Sequence, residues 1–200
     1  MKLVCLDLEG VLVPEIWIAF SRKTGIEELK LTTRDIPDYN VLMKKRIGIL
    51  DEHKLTLPDI QAVIAGIDPL EGALEFMNEL RSQYQVIILS DTFEEFAKPL
   101  MRTLGWPTLF CNSLVVNGGG QIMDFRLRQQ DGKRKAVEAF HSAGMTVTAA
   151  GDSYNDISMI KTADHGVLFM PPDNIVAEYP ELPVARDYDS LLAEIRKSFS

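Results

Sequence analysis

Residues 3–10 read Leu3-Val4-Cys5-Leu6-Asp7-Leu8-Glu9-Gly10, an apolar run that takes on two carboxylates and stops at glycine. A short apolar run bounded by a turn residue reads as a strand buried on both faces. Four more runs of this kind follow, at residues 85–89, 108–111, 146–150 and 166–170. Helical patterns separate most of them. Residues 70–82 carry Leu70, Leu74, Met77 and Leu80, residues 94–104 stop at Gly105, and residues 133–143 stop at Gly144. Glycine just past a helix is the usual left-handed cap. Buried strands alternating with helices predict a mostly parallel α/β sheet.

Two stretches leave that alternation. Residues 114–128 predict an antiparallel hairpin turning through Asn117-Gly118-Gly119-Gly120. This glycine run opens no helix, so it is not a nucleotide loop. Residues 13–68 predict a helical insertion without strands. Trp17, Phe20 and Ile26 lie in its first helical stretch; residues 39–50 form another behind Asp38 as N-cap, and residues 57–64 a third with Pro58 in its first turn. The expected division is a core of residues 1–12 and 69–200 with a cap of residues 13–68.

The 200 residues are 46% hydrophobic and 25% charged, which excludes disorder, collagen and coiled coil as whole-chain readings. Twenty-one basic and 29 acidic side chains give a net charge of −8. An acidic chain is a poor match for a phosphate backbone, so no nucleic-acid partner is expected. No window supplies the roughly 20 uncharged apolar residues of a membrane span. Asp7 and Glu9 interrupt the first apolar run before a signal-peptide core is complete. Cys5 and Cys111 match no C-x-x-C pattern and fit a reducing compartment. These features predict a soluble cytoplasmic protein, its state open between monomer and homodimer.

Three of the predicted strands end in polar chemistry: Asp7-Leu8-Glu9, Ser90-Asp91-Thr92, and Gly151-Asp152-Ser153-Tyr154-Asn155-Asp156. In open α/β sheets ligands bind beyond the carboxyl ends of strands. Each loop alone is ordinary turn chemistry, and Ser90-Asp91-Thr92 alone could cap the next helix. Together they hold what one reaction needs. Asp7 and Asp152 offer oxygens to a hard cation, Mg²⁺ being favoured. Ser90 and Lys133 offer a hydroxyl and a positive charge to phosphate oxygens. A carboxylate can attack phosphorus while a second carboxyl group moves the proton, and Asp7 and Glu9 fit those jobs.

The segments 7–11, Ser90, Lys133 and 151–156 resemble the four ordered motifs of the haloacid-dehalogenase-like phosphohydrolases. Within that superfamily the chain is similar to phosphoserine phosphatases, and residues 7–17, DLEGVLVPEIW, resemble the ThrH subgroup. That subgroup is described both as phosphoserine phosphatase and as phosphoserine:homoserine phosphotransferase. The resemblance implies a Rossmann-like parallel core with an inserted helical cap. It implies an aspartyl-phosphate on Asp7, Mg²⁺ held by Asp7, Asp152 and the backbone carbonyl of Glu9, phosphate contacts from Ser90 and Lys133, and a contact from Asn155 to the phosphate or to the substrate's polar end. Asp91 is counted with the substrate-binding residues, as a second negative group near the phosphate unless its side chain turns away. Glu15 would bind the substrate ammonium, with one residue fewer in between than the family pattern. Arg46, between Leu42 and Leu50 on one helix face, would bind the carboxylate. Asp156 would orient Lys133 or a metal-bound water. The chain departs from the common pattern at Glu9, where aspartate is usual, and at Asp91-Thr92, where two glycines are usual; the ThrH-like subgroup shares both. His53, His141 and His165 have no ligand spacing. The alternatives are a phosphatase for another small ester, a phospho-aspartate receiver, or a phosphoserine-binding protein without chemistry.

Overall fold

The computed structural model describes residues 1–32, 35–36 and 38–199. Its strands are β1 (Lys2–Leu6), β2 (Gln85–Phe93), β3 (Thr108–Val116), β4 (Ile122–Arg126), β5 (Thr146–Gly151), β6 (His165–Phe169) and β7 (Val184–Ala185). Its α-helices are α1 (Ile16–Thr24), α2 (Tyr39–Glu52), α3 (Leu57–Ile64), α4 (Ala73–Gln83), α5 (Glu94–Thr103), α6 (Gly132–Ser142), α7 (Ile157–Thr162), α8 (Asp173–Glu178) and α9 (Tyr188–Ser198). The sheet order is β4-β3-β2-β1-β5-β6-β7, parallel throughout except for the edge strand β4. Strand β1 lies in the middle, pairing Leu6 with Ile88 of β2 on one side and with Ala150 of β5 on the other. The chain builds outward from β1 in both directions, so the switch of strand order lies at its carboxyl end, where Asp7 follows.

The period-two alternation of β1 divides the core. Val4 and Leu6 join one hydrophobic cluster; Leu3 and Cys5 join a second on the other face with Val137, Ile160 and Leu168. The first cluster runs without a break into the segment between β1 and α4: Trp17, Phe20, Leu29, Met43, Ile60 and Ile64 pack with Phe96 and Leu100 of α5. Trp17 meets Phe96 edge to face at 5.5 Å. Each large side chain so buried contributes about 2–3 kcal/mol. Those helices therefore rest on the sheet layer through apolar packing as well as through chain connection.

The caps follow local chemistry. Asp38 accepts the amides of Asn40 and Val41 at the start of α2. Thr56 and Asp59 form a capping box on α3, with Pro58 in its first turn. Gly105 and Gly144 take the left-handed conformation just beyond α5 and α6.

Three differences from the sequence reading affect the site. Strand β2 continues to Phe93, so Ser90, Asp91 and Thr92 are its last turn-ward residues, and Phe93, not one of them, is the N-cap of α5. The pairing with β3 is irregular between Leu89 and Phe93, which is where those side chains are re-aimed. Residues 108–111 and the first arm of the hairpin are one strand, β3. The elements α8, β7 and α9 carry patterns too short or too mixed to predict. Among the described residues no helix is long and apolar enough to cross a membrane.

Candidate active site

Asp7 extends the β1 ladder by one bond, its amide donating to the Ala150 carbonyl at 3.0 Å. The main chain then turns away at Leu8, and the Asp7 side chain is left buried at the carboxyl end of this central strand with Oδ1 accepting from Leu8 N at 2.7 Å. Lys133, in the first turn of α6, stands 2.9 Å from the same oxygen and 2.6 Å from Asp156 Oδ1. Asp156 is fully buried and its Oδ2 takes the amides of Asp152 and Ser153 at 3.0 and 3.1 Å. Burial and the charge of Asp156 push Asp7 well above the usual carboxylate range, against the pull of Lys133. Burial pulls Lys133 down, yet Asp156, Asp7 and Asp91 together hold its ammonium well above the ordinary lysine value.

Asp152 sits at the end of β5. Burial, Asp156 and Glu15 push it up to about 7. Its Oδ1 and Arg46 Nε are, among the described residues, the buried side-chain polar atoms with no hydrogen-bond partner. Ligand atoms of Asp7, Asp152 and Asp156 lie within 4.8 Å of one another. Asp156 spends its oxygens on Lys133 and two amides, so Asp7 and the orphaned oxygen of Asp152 are the free donors. This fits a hard divalent cation, which takes carboxylate oxygens and offsets their mutual repulsion. Two glycines make the approach possible. Gly10 has φ +77°, and a β-carbon there would run into the Asp152 carboxylate. A β-carbon at Gly151 would run into the Asp156 carboxylate.

The side chain of Glu9 is not part of this cluster. Its Oε2 accepts from the amide of Ile16 at 2.8 Å, at the open N-terminus of α1. Burial first, then the charge of neighbouring Glu15, push Glu9 up to about 8. Asp156 stands beside Lys133 as the sequence reading has it, at 2.6 Å, and also lies in the carboxylate cluster with Asp7 and Asp152.

Ser90 is buried, its Oγ accepting from Thr92 N at 3.2 Å. Asn155 donates from Nδ2 to Asp91 Oδ2 at 2.9 Å. Arg46 lies buried on α2 with its guanidinium 4.5 Å over the Trp17 ring, and donates to the Leu31 carbonyl at 2.7 Å. Burial lowers it to about 10. Glu15, exposed before α1, and Arg46 reach the same cleft as Asp7.

That cleft has a volume of about 830 Å³. Among the described residues lining it, Arg46 and Lys133 are the cations, while Asp7, Glu9, Glu15, Asp38, Asp91, Asp131 and Asp152 are acids. An anionic substrate would meet net repulsion there without a further cation. Two lining residues had no signal in the sequence. Tyr39 of α2 donates its hydroxyl to the Asp91 carbonyl at 3.0 Å, and Asn112 of β3 donates Nδ2 to the same oxygen at 3.0 Å. Both depend on which segments fold against β2. His141 and His165 pair with Asp164 and Glu194 away from the cleft.

Residues 1–164 match the family model of haloacid dehalogenase-like hydrolases. A protein of Pseudomonas syringae pv. tomato named phosphoserine phosphatase is 57% identical over 198 residues, 99% of this chain and 84% of that one. Phosphoserine phosphatase ThrH of Pseudomonas aeruginosa is 56% identical over 200 residues, covering 100% of this chain and 98% of its own. A solved structure described as a phospho-aspartyl intermediate analogue of phosphoserine phosphatase superposes with a TM-score of 0.76 at 25% identity, over 96% of this chain and 97% of that chain. With its strand-end carboxylates and buried lysine, and with that match over most of its length, the chain belongs to the haloacid dehalogenase-like hydrolases.

Proposed function

We propose that this protein is a Mg²⁺-dependent phosphoserine phosphatase that works through an aspartyl-phosphate on Asp7, with homoserine as a second phosphoryl acceptor. One observation carries the reading. A single cleft is lined by Asp7 and Lys133, with Asp156 paired to Lys133 from beneath, and, from the helical segment opposite, by Glu15 and Arg46. The first set suits a phosphate ester. The second suits an amino acid, with an anion for its ammonium and a guanidinium for its carboxylate. The names of the two Pseudomonas relatives support the same substrate.

In this reading Lys133, Ser90 and Asn155 hold the phosphate oxygens, and Asp7 attacks phosphorus as the bond to the serine oxygen breaks. Glu9, held protonated to about pH 8, gives its proton to that oxygen. It then takes a proton from water, or from the hydroxyl of homoserine, as that oxygen attacks the aspartyl-phosphate and frees Asp7. Asp7, Asp152 and the backbone carbonyl of Glu9 would hold Mg²⁺, and the ion supplies charge neutralisation at the phosphate when bound. Asp156 keeps Lys133 charged and aimed. The segment 13–68 acts as a lid on a core of residues 1–12 and 69–200, limiting bulk water at the reacting atoms. A cytoplasmic setting belongs to this reading, supported by the unpaired thiols of Cys5 and Cys111.

The test is incubation with phosphoserine and Mg²⁺, with and without homoserine, following inorganic phosphate and phosphohomoserine. Both products are expected, and Asp7→Asn is expected to abolish both. Faster turnover of an unrelated small ester than of phosphoserine would favour the wider phosphatase reading. Stable phosphorylation of Asp7 without turnover would favour a receiver.

A further inference from the structure

Asp91 places a carboxylate on the donors that the proposed function gives to the phosphate. Its Oδ2 accepts from Asn155 Nδ2 at 2.9 Å and stands 3.8 Å from Lys133 Nζ. Ser90 is its neighbour in the chain. Its main chain is clamped from two sides, because the carbonyl accepts both the Tyr39 hydroxyl and Asn112 Nδ2. The side chain is half exposed to the cleft, so it can swing about its own torsions while the backbone stays in place. A carboxylate and a phosphate ask for the same charge-assisted hydrogen bonds. A phosphate arriving at Lys133 and Asn155 must therefore displace Asp91 and then lie beside its charge.

We infer that Asp91 is a built-in competitor of phosphate, a residue that weakens the hold of the cleft on the phosphate left after hydrolysis. This rests on the reading that Asn155 and Lys133 bind phosphate. The opposition is the same for every phosphate ligand, but its consequence differs. A substrate that also carries an ammonium and a carboxylate gains contacts at Glu15 and Arg46. Inorganic phosphate has no such contacts to offset the opposition of Asp91, so it is held weakly while the substrate still binds. An enzyme without Asp91 would hold its product longer.

The test compares wild type with Asp91→Asn, an isosteric change that keeps an oxygen for Asn155 Nδ2 and removes the charge. Asp91→Ser serves as a second variant with a shorter side chain. Inorganic phosphate is titrated against hydrolysis of p-nitrophenyl phosphate in the presence of Mg²⁺. The inhibition constant is expected to drop about tenfold in both variants, as for removal of one unscreened like charge near the ligand. If Asp91 merely positions Asn155, the change runs the other way: phosphate binds more weakly, and the inference is overturned. An unchanged constant overturns it as well. Absence of competitive inhibition by phosphate in wild type and both variants would overturn the phosphate site itself, and the proposed function with it.

Discussion

Lys133 Nζ stands 2.6 Å from Asp156 Oδ1, and both side chains are buried. The lysine comes from the first turn of α6 and the aspartate from the turn after β5, so one ion pair joins two loops of the site. Removing Lys133 leaves two buried carboxylates, Asp7 and Asp156, without their shared cation. Lys133→Met is expected to cost roughly 3–5 kcal/mol of stability, read as a lower urea midpoint. Asp156→Asn is expected to lose activity through Lys133 while retaining the fold, checked by circular dichroism beside the assay.

The close approach of Asp7 and Asp152, with Asp152 Oδ1 unpartnered, predicts stabilisation by a divalent cation. Mg²⁺ at a hundredfold excess over its dissociation constant should raise unfolding free energy by about 2.7 kcal/mol. Chelation should reverse the rise, and Asp152→Asn should abolish it. A melting temperature that ignores Mg²⁺ in wild type would count against the site.

Arg46 is buried, stacked on Trp17, and retains one unpartnered Nε. Arg46→Ala should raise KM for phosphoserine roughly 10- to 100-fold, the range of one lost charge-assisted contact. Hydrolysis of p-nitrophenyl phosphate, which has no carboxylate, should change far less. Equal losses on both substrates would mean that the arginine only supports the fold.

Glu9 predicts a pH dependence whose sign follows from its surroundings. Burial and Glu15 raise it from 4.5 to about 8 in the folded chain. The folded state therefore binds more protons than the unfolded state between those values. Its contribution to stability is full below the unfolded value and is lost as pH rises through about 8. Glu9→Gln should flatten that decline in metal-free protein, measured by urea unfolding across the range. In wild type the first turnover, which needs the Glu9 proton, should also slow above about pH 8.

Gly10 tests the close approach at Asp152. Gly10→Ala places a side chain at positive φ, a strain of about 1 kcal/mol before any clash. Because the new β-carbon meets the Asp152 carboxylate, weaker Mg²⁺ binding is expected along with lower stability.

Much of this was legible in the chain itself. Of the apolar run at residues 3–8, residues 3–6 sit in β1, and residues 146–150 sit in β5, because a strand buried on both faces has little choice of residue. Asp38, Pro58, Gly105 and Gly144 end or begin helices through local chemistry that needs no partner. The order of Asp7, Ser90, Lys133 and Asp152 pointed to one reaction before any distance was known. Other features needed the third dimension. Strand β2 extends through Asp91 because β3 lies beside it, and that pairing brings Asn112 to the Asp91 carbonyl. Glu9 lies apart from the carboxylate cluster because α1 begins beside it, while Asp156 is fixed on Lys133 because α6 begins beside the turn after β5. Spacing along a sequence states which groups a chain owns and which local turns they favour. Only packing decides which carboxylates lie within 4.8 Å of each other, how far burial raises them, and which donor each one meets.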